Sequence, residues 1–257
     1  PTAWYGDRLR YAQWNVAEER FDAEALAGVD AVIHLAGENV FAPRWTAQKK
    51  RRILESRARG TRLLARALAS LDRKPRVLLS SSASGIYGHR ADRVLTEDDA
   101  PGTGFLAAVC KVWEAPRAAP LAPPTPPSAP PPRGAPAPAD TYTPWIALDD
   151  WLYAILHTLA TDDLRGPVNL SAPQPVPFKT FAKRVGRVLG RPVLLRVPRI
   201  AAASLGGEAI ENVALTRTRM VPQRLTTSGF AFAFPTLDAA LCHVLGKTLD
   251  VKALMAA

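Results

Sequence analysis

Five hydroxyls crowd one short stretch of this 257-residue chain: Ser80, Ser81, Ser82, Ser84 and Tyr87. Such groups both donate and accept hydrogen bonds, so they can polarise a carbonyl or hold a hydroxyl. They follow Val77-Leu-Leu79, a short apolar run with a β-branched residue, which predicts a buried parallel strand. In open α/β sheets ligands bind just outside the carboxyl ends of the strands. Arg76–Gly88 therefore reads either as a site or as a serine-rich loop capping the next helix.

A second apolar run, Asp30-Ala-Val-Ile-His-Leu-Ala-Gly37, predicts another buried strand ending in small residues. Small residues at Ala36 and Gly37 let a backbone approach a flat cofactor closely. His34, inside the run, reads as a packed core histidine rather than a catalytic one. Between the two strands, Thr46 is a good N-cap for a helix running to about Leu71. Ile53, Leu64, Leu68 and Leu71, with Ala58, Thr61 and Ala65, give that helix an apolar face. Lys49-Lys-Arg-Arg52, Arg57, Arg59, Arg62 and Arg66 make its other face basic. A solvated face is the preferred reading over a phosphate patch, because no aromatic residues interleave to stack on bases.

The remaining elements must position these groups. Leu9–Trp14 predicts a short strand and Phe21–Ala27 a helix-like stretch. Thr96-Glu-Asp-Asp-Ala-Pro-Gly102 is an acidic turn, and Phe105–Ala115 a helix carrying Cys110, Lys111 and Trp113. Eleven of the 24 prolines fall between Pro116 and Pro138. Proline fixes φ and lacks a donor, so polyproline II or disorder is expected there, with an SH3 or WW ligand as the sharper alternative. Beyond it, helices are expected from Asp150 to about Ala160, over Pro177–Gly190, over Glu208–Leu215 and over Pro235–Leu245. Strands are expected at Gly166–Ser171 and Val193–Val197.

Composition excludes several classes. No run of 18 apolar residues occurs, and no charged-then-apolar leader opens the chain, so no membrane partner is expected. Cys110 and Cys242 are far apart, which argues for a reducing, cytoplasmic setting and against a metal cluster. The net charge of +10 would suit an anionic partner, but the Arg-, Ala- and Pro-rich composition is ascribed to coding bias, and no nucleic-acid partner is expected.

Taken together, Asp30–Asn39, Arg44-Trp-Thr46, Ser56-Arg57, Gly60–Leu64, Ser82–Gly88, Thr96-Glu97, Gly104–Leu106 and Trp113-Glu114 resemble the extended short-chain dehydrogenase/reductase superfamily. The likeness is to its subgroup of sugar-nucleotide epimerases with a small C-terminal domain of unknown function. Trp145-Ile, Asp149-Asp150, Gly166–Pro173, Arg191-Pro192, Gly207-Glu208, Val221-Pro222, Leu225, Gly229–Pro235, Leu237 and Ala240-Leu241 continue it.

The resemblance implies an α/β fold: an incomplete Rossmann-like, doubly wound parallel sheet, with a small mixed α/β C-terminal domain. It implies hydride transfer with NADP or NAD on a sugar-nucleotide-like or small carbonyl or hydroxyl substrate. By the same resemblance Ser82 would polarise the reacting oxygen and Lys111 would hold the ribose. Leu35, Ala36, Gly37, Ser80 and Ser81 would lie along the cofactor, and Asn39, Ser84, Tyr87 and Trp145 near the substrate. A partial NAD(P)-binding domain is expected over 1–115, a linker over 116–142 and a substrate-side region over 143–257.

Three departures stand against this. No glycine-rich GxxGxxG loop precedes Asp30, so the chain reads as beginning near the third strand of the family fold. Ala107 stands four residues before Lys111, where the family's general-acid tyrosine would be. The proline tract replaces a strand and a glycine-rich loop. An apolar edge at Ala31 would then be exposed and the chain poorly stable alone. A remnant acting as a binding or interaction module is the alternative reading.

Overall fold

The structure, a computed structural model, describes residues 9–42, 45–90, 92–115, 142–191 and 218–248. The expected strand at Val193–Val197, the helix at Glu208–Leu215 and nearly all of the proline tract lie outside these residues.

The described residues group into two compact units. Unit one takes residues up to Val40, Thr46–Ser82 and the last turn of the second helix from Val112. Unit two takes Phe41, Ala42, Trp45, Ala83–Lys111 and the described residues from Tyr142 onward.

In unit one the predicted strand ends are realised. Strand β3 (Ala31–His34) pairs in parallel with β4 (Val77–Ser80), setting Val32 beside Leu78 and His34 beside Ser80. A parallel pair needs a long crossover, which the 23-residue helix α1 (Ala47–Ala69) supplies. Thr46 caps α1 as its type predicts, its hydroxyl accepting from the Lys49 N–H at 3.1 Å. Ile53, Ala58, Leu64 and Leu68 are buried on the helix, as the periodicity requires. His34 is buried and bonds the Thr61 hydroxyl at 3.1 Å, with Trp14 packed on its ring. Gly60 gives Trp14 room, since a Cβ there would stand 3.3 Å from the indole.

The N-terminal stretch departs from expectation. Only β1 (Trp14–Asn15) is strand, and it pairs antiparallel with β2 (Arg20–Phe21). The Asn15 side chain accepts from the Ala17 and Glu18 N–H groups and turns the chain back, which a straight strand from Leu9 cannot do. The helix-like stretch shrinks to a single 3₁₀ turn, Ala23–Leu26.

In unit two a 3₁₀ turn, Ser84–Tyr87, leads to β5 (Val94–Leu95), which pairs in parallel with β8 (Arg219–Met220). Tyr87, Leu95 and Met220 form a buried cluster with Ile86 against it. Helix α2 (Phe105–Glu114) carries residues of both units. Strand β6 (Tyr142–Thr143) pairs antiparallel with β7 (Val176–Pro177). Helices α3 (Leu148–Ala160), α4 (Phe178–Leu189), α5 (Gln223–Thr227) and α6 (Leu237–Val244) complete it. Gly166–Ser171, expected as a strand, is irregular. Here the Asn169 N–H donates to the Glu97 carboxylate at 2.9 Å instead of to a neighbouring strand. No helix among the described residues is long and apolar enough to cross a membrane.

Candidate functional site

In unit one the two parallel strands end side by side. The Ser81 N–H donates to the His34 carbonyl at 2.9 Å, so Leu35 leaves β3 next to Ser81 and Ser82. Past that point the pairing stops and Leu35, Ala36, Gly37 and Asn39 are exposed, Leu35 by 52%. The Ser80 hydroxyl is buried and has no partner among the described residues.

Arg57 braces this end. Its guanidinium donates to the Glu38 carbonyl at 2.9 Å and the Ile53 carbonyl at 3.2 Å, and lies 4.9 Å from the centre of the Trp113 ring. A Cβ on Gly37 would stand 3.0 Å from the guanidinium carbon, so only glycine leaves that brace undisturbed. Glu38 itself is held below the usual carboxylate range, chiefly by the hydrogen bond from Lys49.

Ser82 is half-buried, and its hydroxyl donates to the Glu114 carboxylate on the last turn of α2. Ser81 bonds the Ser82 carbonyl. Neither Glu114 nor Arg57 stands out in the sequence as a site residue. The sequence signals for Glu114 are its place in the Trp113-Glu114 pair of the resemblance and its position three residues after Lys111, which puts both on one helical face.

The other candidates belong to unit two. Lys111 and Ser84 are exposed. Ala107 is 1% exposed, so nothing with a titratable proton occupies that position. Trp145 donates its indole N–H to the Gln174 carbonyl at 3.0 Å. Tyr87 is buried and donates its hydroxyl to the Asn169 side-chain carbonyl at 2.8 Å, while Asn169 donates to the Val221 carbonyl. Tyr87→Phe is expected to lower stability by about 1–2 kcal/mol, because it leaves the Asn169 oxygen buried without its donor. Urea denaturation of the two proteins measures this, and equal midpoints would show that the hydroxyl is not engaged.

A dinucleotide needs a flat, side-chain-poor strand end and unspent polar groups. Exposed Leu35–Gly37 fit that need; the Ser80 hydroxyl, unpartnered among the described residues, is closed off from solvent and does not face them. Among the described residues no cluster of His, Cys, Asp and Glu could hold a metal.

Residues 4–109 match the NAD dependent epimerase/dehydratase family, and residues 197–244 match a domain of unknown function, DUF1731. The epimerase family protein Mb2239 of Mycobacterium bovis is 34% identical over 250 residues, spanning 89% of this chain and 82% of that one. The epimerase family protein YfhF of Bacillus subtilis is 30% identical over 267 residues, spanning 95% and 86%. Among solved structures, human epimerase family protein SDR39U1 (isoform 2) with NADPH superposes with a TM-score of 0.74 at 24% identity. That superposition covers 88% of this chain and 86% of the human one, and it places the fold among Rossmann-like epimerases.

Proposed function

The chain belongs to the NAD dependent epimerase/dehydratase family, and from that membership we propose that it binds a nicotinamide dinucleotide across the paired strand ends of unit one. NADP(H) is favoured over NAD(H), because the structurally similar human protein was solved with NADPH. The reaction is hydride transfer on a sugar-nucleotide-like or small hydroxyl or carbonyl substrate.

One observation carries this reading: the parallel register that sets His34 beside Ser80 and so opens Leu35–Gly37 next to Ser81 and Ser82. The bound cofactor supplies or accepts the hydride. This chain's residues do the rest. The exposed stretch Leu35, Ala36 and Gly37 takes the flat adenosine face, and Ser81 supplies a polar contact. Ser82 holds the oxygen whose carbon gains or loses hydride, with Asn39 toward the substrate.

No nucleic-acid partner is part of the reading. Five cations of α1 are paired, Lys49 and Arg52 with Glu38, Arg51 and Arg59 with Glu55, and Arg66 with Glu19. A cytoplasmic setting is proposed with the reading, on the two free cysteines. The buried Ala107 favours a second reading, a protein that binds the cofactor without catalysing.

Titration with NADPH and NADH, followed by nucleotide fluorescence, tests the proposal. Saturable binding below millimolar cofactor is expected, and no binding at millimolar concentration overturns it. Reduction of 9,10-phenanthrenequinone by NADPH then separates the two readings. Ser82→Ala is expected to keep NADPH affinity and to lose about 100-fold in turnover, the usual cost of removing a group that handles the reacting oxygen's proton.

A further inference from the structure

Serine carries one donatable proton and two acceptor sites. In this chain the Ser82 proton is already directed at the Glu114 carboxylate, so what Ser82 offers outward is its lone pairs. Those accept from a hydroxyl; they do not donate to a carbonyl.

We infer that Glu114 is the proton-accepting positioning residue of this site, acting through Ser82 in place of the acid–base group that Ala107 cannot supply. The inference rests on the nicotinamide reading above. Three features of the structure support it. The pair closes within one unit, since Ser82 and the last turn of α2 both belong to unit one. Glu114 is exposed and Ser82 half-buried, so a ligand can reach the pair. The turn that carries Glu114 is held in place, because the neighbouring Trp113 is buried beneath the Arg57 guanidinium, which is itself anchored on Glu38 and Ile53.

The step balances as follows. A substrate hydroxyl donates to Ser82 Oγ. As the carbon bearing it gives up hydride to an oxidised nicotinamide, the O–H bond breaks and its proton passes to Ser82 Oγ. The Ser82 proton passes to Glu114. The products are a carbonyl, a reduced nicotinamide and a neutral Glu114; the reverse order serves reduction. The substrate side that this arrangement takes is thus an alcohol.

The test uses the full chain with Glu114→Gln, Glu114→Asp and Ser82→Ala. NADPH fluorescence titration is run on all four proteins, together with reduction of 9,10-phenanthrenequinone. Glu114→Gln keeps the shape but has no transferable acid proton. It is expected to bind NADPH like the parent, to keep KM within about threefold and to lose about 100-fold in kcat, as loss of general acid–base catalysis does. Glu114→Asp restores part of the loss, which a purely structural role would not predict. A second measurement needs neither cofactor nor turnover. In chain labelled with ¹³C at glutamate carboxyls, the Glu114 resonance is the one missing from Glu114→Gln, and Ser82→Ala is expected to move it. A resonance that Ser82→Ala leaves in place overturns the inference, as does Glu114→Gln with unchanged kcat. If the parent fails to bind NADPH, the nicotinamide reading falls and this inference with it; if NADPH binds and Glu114→Gln behaves as the parent, only the inference falls.

Discussion

Gly102→Ala is expected to prevent stable folding of unit two. A Cβ built on Gly102 stands 2.0 Å from the Tyr87 carbonyl oxygen and 2.5 Å from its carbonyl carbon, with the Gly88 nitrogen at 2.9 Å. All three are backbone atoms, so no rotamer change relieves the clash. The backbone is also pinned from its own side, because the Gly102 N–H donates to the Ile86 carbonyl at 2.8 Å. Moving either strand of chain breaks that bond and shifts Tyr87, whose ring is part of the buried cluster with Leu95 and Met220. Costs above about 4 kcal/mol belong to this kind of forced overlap. Gly229→Ala is the control. Gly229 has φ +81° with open space around its Cβ position, so it is expected to lose only about 1 kcal/mol from the left-handed backbone. Urea denaturation followed by circular dichroism distinguishes them. Midpoints for Gly102→Ala and Gly229→Ala that fall together would refute the overlap.

The pattern of what the sequence revealed follows interaction range. Thr46, α1 and the two apolar runs were legible because caps, 3.6-residue periodicity and short β-branched runs are local signals. His34 was legible as core because it sits in an apolar run. Gly166–Ser171 misled for the same reason: its apolar residues mimic a strand, yet its partner is the Glu97 side chain, 72 residues away from Asn169. The site divides in the same way. Ser80, Ser81 and Ser82 were visible from their place after a strand. Glu114 lies 32 residues from Ser82, and Arg57 reaches Glu38 from 19 residues away; nothing local marks either pairing.

The apolar edge at Ala31 was expected from the strands that the resemblance shows to be missing, and among the described residues β3 pairs with β4 alone. In unit one Ile33 and Leu35 are 45% and 52% exposed, although β-branched and aliphatic residues at such positions normally pack. α1 covers the face of His34 and Thr61; the alternate residues of β3 point the other way. A surface that a flat cofactor would cover and a surface that would favour aggregation are here the same strand end. Stability of unit one should therefore rise with nicotinamide binding, by mass action on the folded state.

Asp150→Ala is expected to be strongly damaging to unit two. Asp150 is 0% exposed, at the start of α3, and its two oxygens accept from the Ala233 N–H at 2.7 Å and the Phe234 N–H at 3.0 Å. A carboxylate can satisfy two adjacent backbone donors at once; alanine satisfies neither and leaves both unpaired. Bonds to a charged acceptor contribute about 1.5–3 kcal/mol each, so a loss of about 3 kcal/mol or more is expected. For a chain of this size that is a fall in Tm of roughly 6–12 °C. Asp150→Asn is expected to recover little, since its amide keeps one acceptor and turns a donor toward the second N–H. The damage also spreads, because Phe234 stacks on His243 at 4.2 Å and His243 bonds Asp149, so freeing the 233–234 backbone loosens the grip of α6 on α3. Asp149→Asn separates the two contributions. Its pair with His243 is solvent-exposed and should cost no more than about 1 kcal/mol. Thermal melts in which Asp150→Ala loses no more than Asp149→Asn would show that the buried carboxylate is not the anchor.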